Sequence, residues 1–157
     1  MSKTPMLFLV QHGQAVKKDV DPQRPLSAEG QQAVERMAEW AASKGFSADR
    51  IWHSGKLRAK QTAAIFAGRI SKVGDTEEKE GLSPKDDVKP VAAEVNKSDD
   101  ALLIAGHMPF LSRLASALVC GNSDQTLIQF ENSAWIGLKK DEEGWKICCI
   151  VPPGLIE

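Results

Sequence analysis

Two short apolar runs, at residues 7–10 and 101–105, constrain the fold most strongly, because each is followed by a histidine beside a glycine. Apolar runs of this length, without polar alternation, are typical of central strands in a parallel sheet that is covered on both faces. A third strand is predicted at residues 50–53, after which Ser54 and Gly55 lead into a helical pattern. The chain therefore begins as repeated units of strand, loop and helix.

Three further helices are predicted from apolar side chains that recur three and four residues apart. The first follows an N-cap at Ser27 and ends near Gly45. Another is predicted to begin at Ser83 and Pro84, as a cap and first turn, and the last to occupy residues 109–121.

The C-terminal part of the sequence has a different pattern. Strands are predicted at residues 126–130, 133–138 and 145–151, with the last two joined as a hairpin. Alternating strands and helices followed by a hairpin indicate an α/β fold, a three-layer α/β/α sandwich whose mostly parallel central sheet has an antiparallel edge. We expect a single domain over residues 1–157, since a chain of this length with 42% hydrophobic residues can bury one good core.

Composition excludes several classes of partner. The net charge is −1, from 20 basic and 21 acidic residues, so no long-range field favours nucleic acid or a membrane surface. The apolar stretch at residues 6–10 is too short for a signal peptide or a membrane span, and a cytoplasmic location is expected. The three cysteines fit neither a disulfide framework nor a zinc site, and we predict reduced, buried thiols.

The candidate site comes from the histidines and one arginine. His12 and His107 both follow apolar strands, and ligands of open α/β sheets bind beyond the carboxyl ends of the strands. Arg58 lies where the strand at residues 50–53 passes into a helix, so its planar guanidinium could reach the same crevice. A guanidinium suits two phosphoryl oxygens at once. The pattern predicts a phosphate site between the three side chains.

Three motifs in this order carry a resemblance to a known family. They are "LVQHG" near the N-terminus, "SGKLRAKQTA" around Arg58 and "LLIAGHMP" around His107. This series resembles the histidine phosphatase superfamily, also called the phosphoglycerate mutase-like family. The short length, with "RPLSAEG" from Arg24 and "EGLSP" from Glu80, is similar to the SixA-type phosphohistidine phosphatases.

The resemblance implies a phosphoglycerate mutase-like fold and a phosphatase that works through a covalent phosphohistidine intermediate. It implies that His12 is the nucleophile and that Glu80 is a proton donor, although Glu77, Glu78, Asp86 and Asp87 lie in the same charged segment. It implies no cofactor and no metal. The implied phosphate-binding residues are Gln11, His12, Arg24, Arg58, His107 and Met108. Of these, His107 would serve best as a cation.

Gln11 is a departure from the family pattern, which has arginine immediately before the nucleophile. Glutamine keeps a hydrogen-bond donor but loses the charge and the forked guanidinium, and Arg24 could supply part of that charge. Three functions therefore stay open. The first is hydrolysis of phosphohistidine on a signalling or phosphotransfer protein, or of another phosphoprotein. The others are hydrolysis of a small phosphoester, and phospho-ligand binding with weak catalysis.

Overall fold

Strands and helices alternate in the computed structural model of the chain, which describes residues 4–72 and 75–156. The strands are β1 Met6–Gln11, β2 Arg50–His53, β3 Glu77–Glu78, β4 Ala101–Gly106, β5 Trp135–Asp141 and β6 Gly144–Val151. The helices are α1 Ala28–Ser43, α2 Leu57–Ile70, α3 Lys89–Lys97 and α4 Phe110–Cys120, followed by a short 3-10 helix at Pro153–Leu155.

The described strands form one six-stranded sheet in the order β3-β2-β4-β1-β5-β6. The pairs β3–β2, β2–β4 and β4–β1 are parallel, whereas β1–β5 and β5–β6 are antiparallel. The predicted architecture, a mostly parallel sheet with an antiparallel edge formed by the terminal hairpin, is confirmed.

Helices cover both faces of the sheet, because successive residues of a strand point to opposite sides. In β1, Leu7 and Leu9 pack in a buried cluster with side chains of α3 and α4. Phe8 and Val10 pack in a second cluster with side chains of α1 and α2. Both clusters are almost wholly excluded from solvent. The sheet and the pair of helices on each of its faces therefore form the three layers of the predicted sandwich.

The adjacent strands β1 and β4 mark the point where the winding of the sheet reverses. The chain leaves β1 towards α1 on one face, and it leaves β4 directly into α4 on the other. Chain segments that diverge in this way open a crevice beyond the carboxyl ends of the two strands. His12 and His107 follow directly after these two ends.

Local sequence signals place most helix ends correctly. The Ser27 hydroxyl accepts a hydrogen bond from the Gly30 N–H at 3.0 Å, which is the predicted N-cap of α1. Gly121 ends α4 with a φ of 72°, a backbone conformation that glycine adopts without a steric cost. Among the described residues, no helix is both long and apolar enough to cross a lipid bilayer.

Three sequence predictions are wrong. Helix α3 begins at Lys89 rather than Ser83, because the Asp86 carboxylate accepts the Ser83 N–H at 2.9 Å and closes a separate turn. Residues 126–130 are irregular rather than a strand, because Ile128 and Phe130 pack against the cluster of α3 and α4 instead of pairing with the sheet. The cysteines are free as predicted, but Cys120 and Cys148 are exposed and Cys149 is only partly buried.

Candidate active site

His12 is held so that one ring nitrogen is left unprotonated. Its backbone N–H donates to the Gly106 carbonyl at 3.0 Å, which ties the end of β1 to the end of β4. Its Nδ1 lies 2.7 Å from the Gly13 carbonyl oxygen. Because a carbonyl only accepts, Nδ1 carries the proton and Nε2 keeps a lone pair.

The surroundings of His12 keep its ring uncharged. Burial is the largest cause that lowers the pKa of His12, and the charges of Arg58 and Arg24 lower it further against the opposing effect of the Gly13 hydrogen bond. A neutral imidazole with an unprotonated Nε2 is the form that acts as a nucleophile.

Arg58, in the first turn of α2, points its guanidinium at this nitrogen. Its Nε donates to His12 Nε2 at 3.3 Å. The turn itself is fixed to the loop after β1, because the Thr62 hydroxyl donates to the Arg58 carbonyl at 2.8 Å and accepts the Gly13 N–H at 3.0 Å. Burial and the charge of Arg24 lower the pKa of Arg58. A guanidinium still stays charged, because its pKa starts so high.

His107, at the end of β4, is 2% exposed and lies beside the other two side chains. Its ring centroid is 5.1 Å from that of His12. Its Nε2 lies 2.6 Å from the Ser54 hydroxyl, and its buried Nδ1 has no hydrogen-bond partner among the described residues.

The role of His107 as a cation toward a bound phosphoryl group stays a prediction, but in the ligand-free site the ring is uncharged. Burial, with smaller effects of His12, Arg58, Lys56 and Arg24, lowers the pKa of His107 to about 3. The ring is therefore neutral at pH 7. A bound dianion would offset the surrounding positive charge and favour protonation of the ring.

Ser54 is a site residue to which sequence reasoning gave no role, although it lies in the middle motif. The loop that carries it is held by a hydrogen bond from the Gly55 N–H to His53 Nδ1 at 3.0 Å. Gly55 has a φ of 88°, and a side chain there would collide with the Glu78 carboxylate. The positive φ favours glycine after Ser54, whereas the Glu78 side chain is exposed and could move aside for a larger residue.

Asn132 is a second residue that no sequence signal indicated. Its side-chain amide donates to the His12 carbonyl at 2.8 Å across 120 residues of sequence. The neighbouring Ser133 N–H donates to the Gln11 carbonyl at 2.9 Å. The loop before β5 therefore fixes the backbone of the loop that bears His12.

Arg24 lies close enough to the site for its charge to act on both histidines, and Gln11 directly precedes His12. Arg24 has a φ of 50°, and its Nε donates to the Val16 carbonyl at 3.2 Å, which anchors it in the loop between β1 and α1. Its charge lowers the pKa of both histidines. The Gln11 Oε1 is buried and has no hydrogen-bond partner among the described residues. The amide in the position of the family's arginine therefore has an unused acceptor.

Glu80 and Met108 are not brought into this cluster by their side chains. Glu80 is exposed, and no described hydrogen bond or ion pair joins it to His12, Arg58 or His107. The Met108 side chain packs against the core cluster below α3 and α4, so only its backbone could face a phosphate.

The other acidic residues of the same segment are mostly engaged elsewhere. Glu77 pairs with Arg50 at 3.2 Å, Asp86 closes the turn at Ser83, and Asp87 accepts the Lys89 N–H. The Glu78 carboxylate lies against Gly55, beside the loop that bears Ser54. Among the described residues, no group of three or more His, Cys, Asp or Glu side chains is arranged to hold a metal ion.

We expect the free energy of unfolding of the ligand-free chain to rise with pH between about pH 3 and the ordinary histidine pKa of 6.5. In this window the unfolded chain binds a proton at residue 107 that the folded chain does not. The stabilisation is complete above pH 6.5 and is lost as the pH falls towards 3. Denaturant unfolding at pH 5 and pH 7.5 measures the difference.

The control is His107→Gln, which keeps a hydrogen-bonding group for Ser54 and removes the titration. The pH dependence should become shallower in this variant, with a remainder from His12, whose pKa is also lowered. An unchanged dependence would show that His107 is not the group responsible.

Comparison with known proteins gives concordant results. Residues 7–83 match the sequence profile of the histidine phosphatase superfamily (branch 1). The chain is 28% identical over 143 residues to the phosphohistidine phosphatase SixA of Escherichia coli strain K12, covering 88% of this chain and 87% of SixA. It also matches the structure of a protein histidine phosphatase SixA complexed with tungstate, with a TM-score of 0.85, 25% identity and coverage of 97% and 99%.

A more distant structure shares the fold alone. A phosphoserine phosphatase from Entamoeba histolytica, solved with 3-phosphoglyceric acid, matches with a TM-score of 0.73 at 15% identity, over 94% of this chain and 96% of the other. These likenesses agree with the family resemblance of the three motifs.

Proposed function

Because this chain belongs to the histidine phosphatase superfamily, we propose that it is a phosphatase that removes phosphate from phosphohistidine on a protein through a covalent intermediate on His12. The observation that carries this proposal is the unprotonated Nε2 of a neutral His12, which accepts a hydrogen bond from Arg58 Nε at 3.3 Å and lies beside His107.

In the first step, His12 Nε2 attacks phosphorus in line with the bond to the leaving group. A new P–N bond forms, the bond from phosphorus to the substrate nitrogen breaks, and that nitrogen takes a proton. In the second step, water attacks the phosphohistidine, the P–N bond to His12 breaks and phosphate leaves. Covalent catalysis of this kind replaces one difficult displacement with two easier ones.

Positive charge at the site supports this transfer. The transferred group spreads negative charge over three oxygens in the transition state, so catalysis depends on fixed cations and donors. Arg58 supplies a forked cation, Arg24 adds a second charge, and His107 becomes a third donor when the phosphoryl group favours its protonation. The Gln11 amide and the Met108 N–H complete the proposed phosphate-binding set.

The proton donor for the leaving group is proposed to be an acidic residue after β3. Glu80 is the residue that the family resemblance suggests. Glu78 is the alternative, because its carboxylate already lies against Gly55 in the ligand-free structure. Turnover of substrates with good and poor leaving groups is measured for Glu80→Gln and Glu78→Gln. The variant that has lost the proton donor should be slowed more with the poor leaving group than with the good one.

A protein substrate is supported by the shape of the chain around the site. In the segment between α2 and α3, which could form a cover, the described residues contain only the two-residue strand β3 and short turns. Glu77, Glu78 and Glu80 of this segment are exposed. His12 itself is only partly buried. A phosphorylated side chain that projects from another protein can reach such a site, and the relative in Escherichia coli bears the name of a phosphohistidine phosphatase.

The test is a comparison of kcat/KM for a phosphohistidine-bearing phosphotransfer protein, a phosphoserine peptide and a sugar phosphate. We expect the phosphohistidine protein to be the best substrate, turnover to survive excess chelator, and vanadate to inhibit by imitating the five-coordinate transition state. A preference for the sugar phosphate would contradict the proposed substrate, and activity that needs added metal would contradict the proposed chemistry.

Gln11→Arg should raise kcat by about tenfold, because a guanidinium returns charge to a position that now holds a neutral amide. The gain is limited because Arg24 is nearby and repels a new cation. Rates are measured for the wild type, Gln11→Arg, Arg24→Ala and the double variant with one phosphohistidine substrate.

If Arg24 compensates for Gln11, Arg24→Ala should be severe in the wild type and mild in the Gln11→Arg background. Additive effects with no gain from Gln11→Arg would mean that residue 11 does not contact the phosphoryl group. Phosphate binding without turnover in the wild type, with turnover gained on Gln11→Arg, would instead identify a binding protein that lost its activity at this position.

A further inference from the structure

Cys148 and Cys149 are adjacent in β6, the edge strand next to β5. Adjacent side chains in a regular strand point to opposite faces of the sheet, so two neighbouring thiols would normally be separated by the backbone. An irregularity in the pairing of β5 with β6 changes this. Gly137 pairs with Cys149 and Leu138 pairs with Ile147, which leaves Cys148 as the extra residue of a bulge.

The bulge brings both thiols to the same face of the sheet. Before it, Ile147 packs against the cluster of α3 and α4. After it, Cys149 packs against the opposite cluster, that of α1 and α2. The Cys148 side chain is directed to this second face too, because its sulfur lies beside Gly137, as does the sulfur of Cys149.

Gly137 provides the space that the two sulfurs share. A Cβ at this position would lie 2.8 Å from Cys149 Sγ and 3.2 Å from Cys148 Sγ, so both sulfurs converge on one point where the glycine has no side chain. Cys148 is exposed and Cys149 partly so, which leaves the pair open to small molecules. The geometry is that of two thiols that can bind one atom between them.

We propose that Cys148 and Cys149 form a dithiol site for small trivalent arsenicals, which bridge the two sulfurs as a cyclic dithioarsenite. In the reaction with an arsenic(III) oxide R–As=O, two As–S bonds form and the bonds between arsenic and oxygen break. The two thiol protons leave with the oxygen as one water molecule. Arsenic stays trivalent and no sulfur is oxidised, so the reaction needs no further reagent.

Two other uses of the pair fit the structure less well. A disulfide between adjacent residues is strained, because their Cα atoms are about 3.8 Å apart, whereas disulfides usually span about 4.4 Å or more. An inserted arsenic atom lengthens the bridge. A divalent metal ion needs thiolates and more ligands, yet burial and the neighbouring Cys148 raise the pKa of Cys149. Condensation with a neutral arsenical, by contrast, can start from protonated thiols.

The test uses phenylarsine oxide with the full chain under reducing conditions. Intact-mass measurement should show one bound phenylarsenic per chain, which survives excess glutathione and is removed by a small dithiol. Two thiols held together bind as a chelate, so the wild type should bind about a hundredfold more tightly than Cys148→Ser or Cys149→Ser. Cys120→Ser, which removes the third, separate thiol, is the matched control and should bind as the wild type does.

The proposal is overturned by equal binding in either of the first two variants, by loss of binding in Cys120→Ser, or by removal of the adduct with glutathione alone. Circular dichroism and denaturant unfolding verify that each serine variant is folded. The cysteines lie in β6, two strands away from β1, so this result does not depend on the proposed function of His12.

Discussion

His12→Ala should lose at least about ten-thousandfold in turnover and form no phosphorylated intermediate, because the substitution removes the nitrogen to which phosphorus is proposed to bond. The alanine keeps the backbone N–H that bonds to Gly106 and the carbonyl that accepts from Asn132. The variant should therefore fold. Labelled substrate, mixed rapidly with enzyme and quenched in alkaline denaturant, measures the intermediate, because the P–N bond hydrolyses in acid.

His107→Gln is the matched comparison for this experiment. It removes a proposed donor to the phosphoryl group and leaves the nucleophile, so label should still appear on His12, at a lower rate. Label on His12→Ala protein, or on a different residue of the wild type, would contradict the assignment of His12. Retained turnover without any label would contradict the covalent mechanism.

Arg58→Ala should lower kcat by a hundredfold to a thousandfold, on the order of 3 to 4 kcal/mol of transition-state stabilisation. Arg58→Lys should recover only part of this, since an ammonium cannot contact two oxygens with a fixed fork. Helix α2 should persist in both, because the contact of residue 58 with Thr62 is made by its carbonyl.

The pH profile separates a role at the reacting atoms from a structural role of Arg58. The charge of Arg58 is one of the causes that lower the pKa of His12 and of His107. Removing it should raise both values, so the acid limb of kcat/KM should move to higher pH. Lys60→Ala, which removes an exposed cation from the same helix, is the control and should leave this limb unchanged. An Arg58→Ala profile that only scales down would indicate damage to the fold.

The terminal hairpin and the parallel strands were predictable because their signals are local. Residues 50–53 form β2 as predicted, and the apolar runs at 7–10 and 101–105 form the centres of β1 and β4. Ser27 and Gly121 cap their helices through contacts within a few residues. The sequence patterns failed where one residue could begin either of two local structures. Ser83 was predicted to begin a helix, but its N–H donates to the Asp86 carboxylate and forms a separate turn.

The convergence of His12, Arg58 and His107 also followed from sequence, since the ends of parallel strands and the helices after them meet at one edge of a sheet. Their protonation did not follow. The pKa of His107 falls to about 3 because burial and the charges of residues distant in sequence act together. The contacts of Ser54 and Asn132 with the site histidines, and the pairing of the two thiols in β6, likewise depend on which segments become neighbours.

The sequence by itself determined the order of strands and helices, the layered α/β fold and the identity of the residues at the strand ends, because apolar periodicity and backbone preferences act over short stretches of chain. The tertiary structure alone decided that His107 is neutral without a ligand and that Cys148 and Cys149 share one face. The first property arises from burial and from charges on residues distant in sequence, and the second from the register of β5 with β6, and no local pattern encodes either.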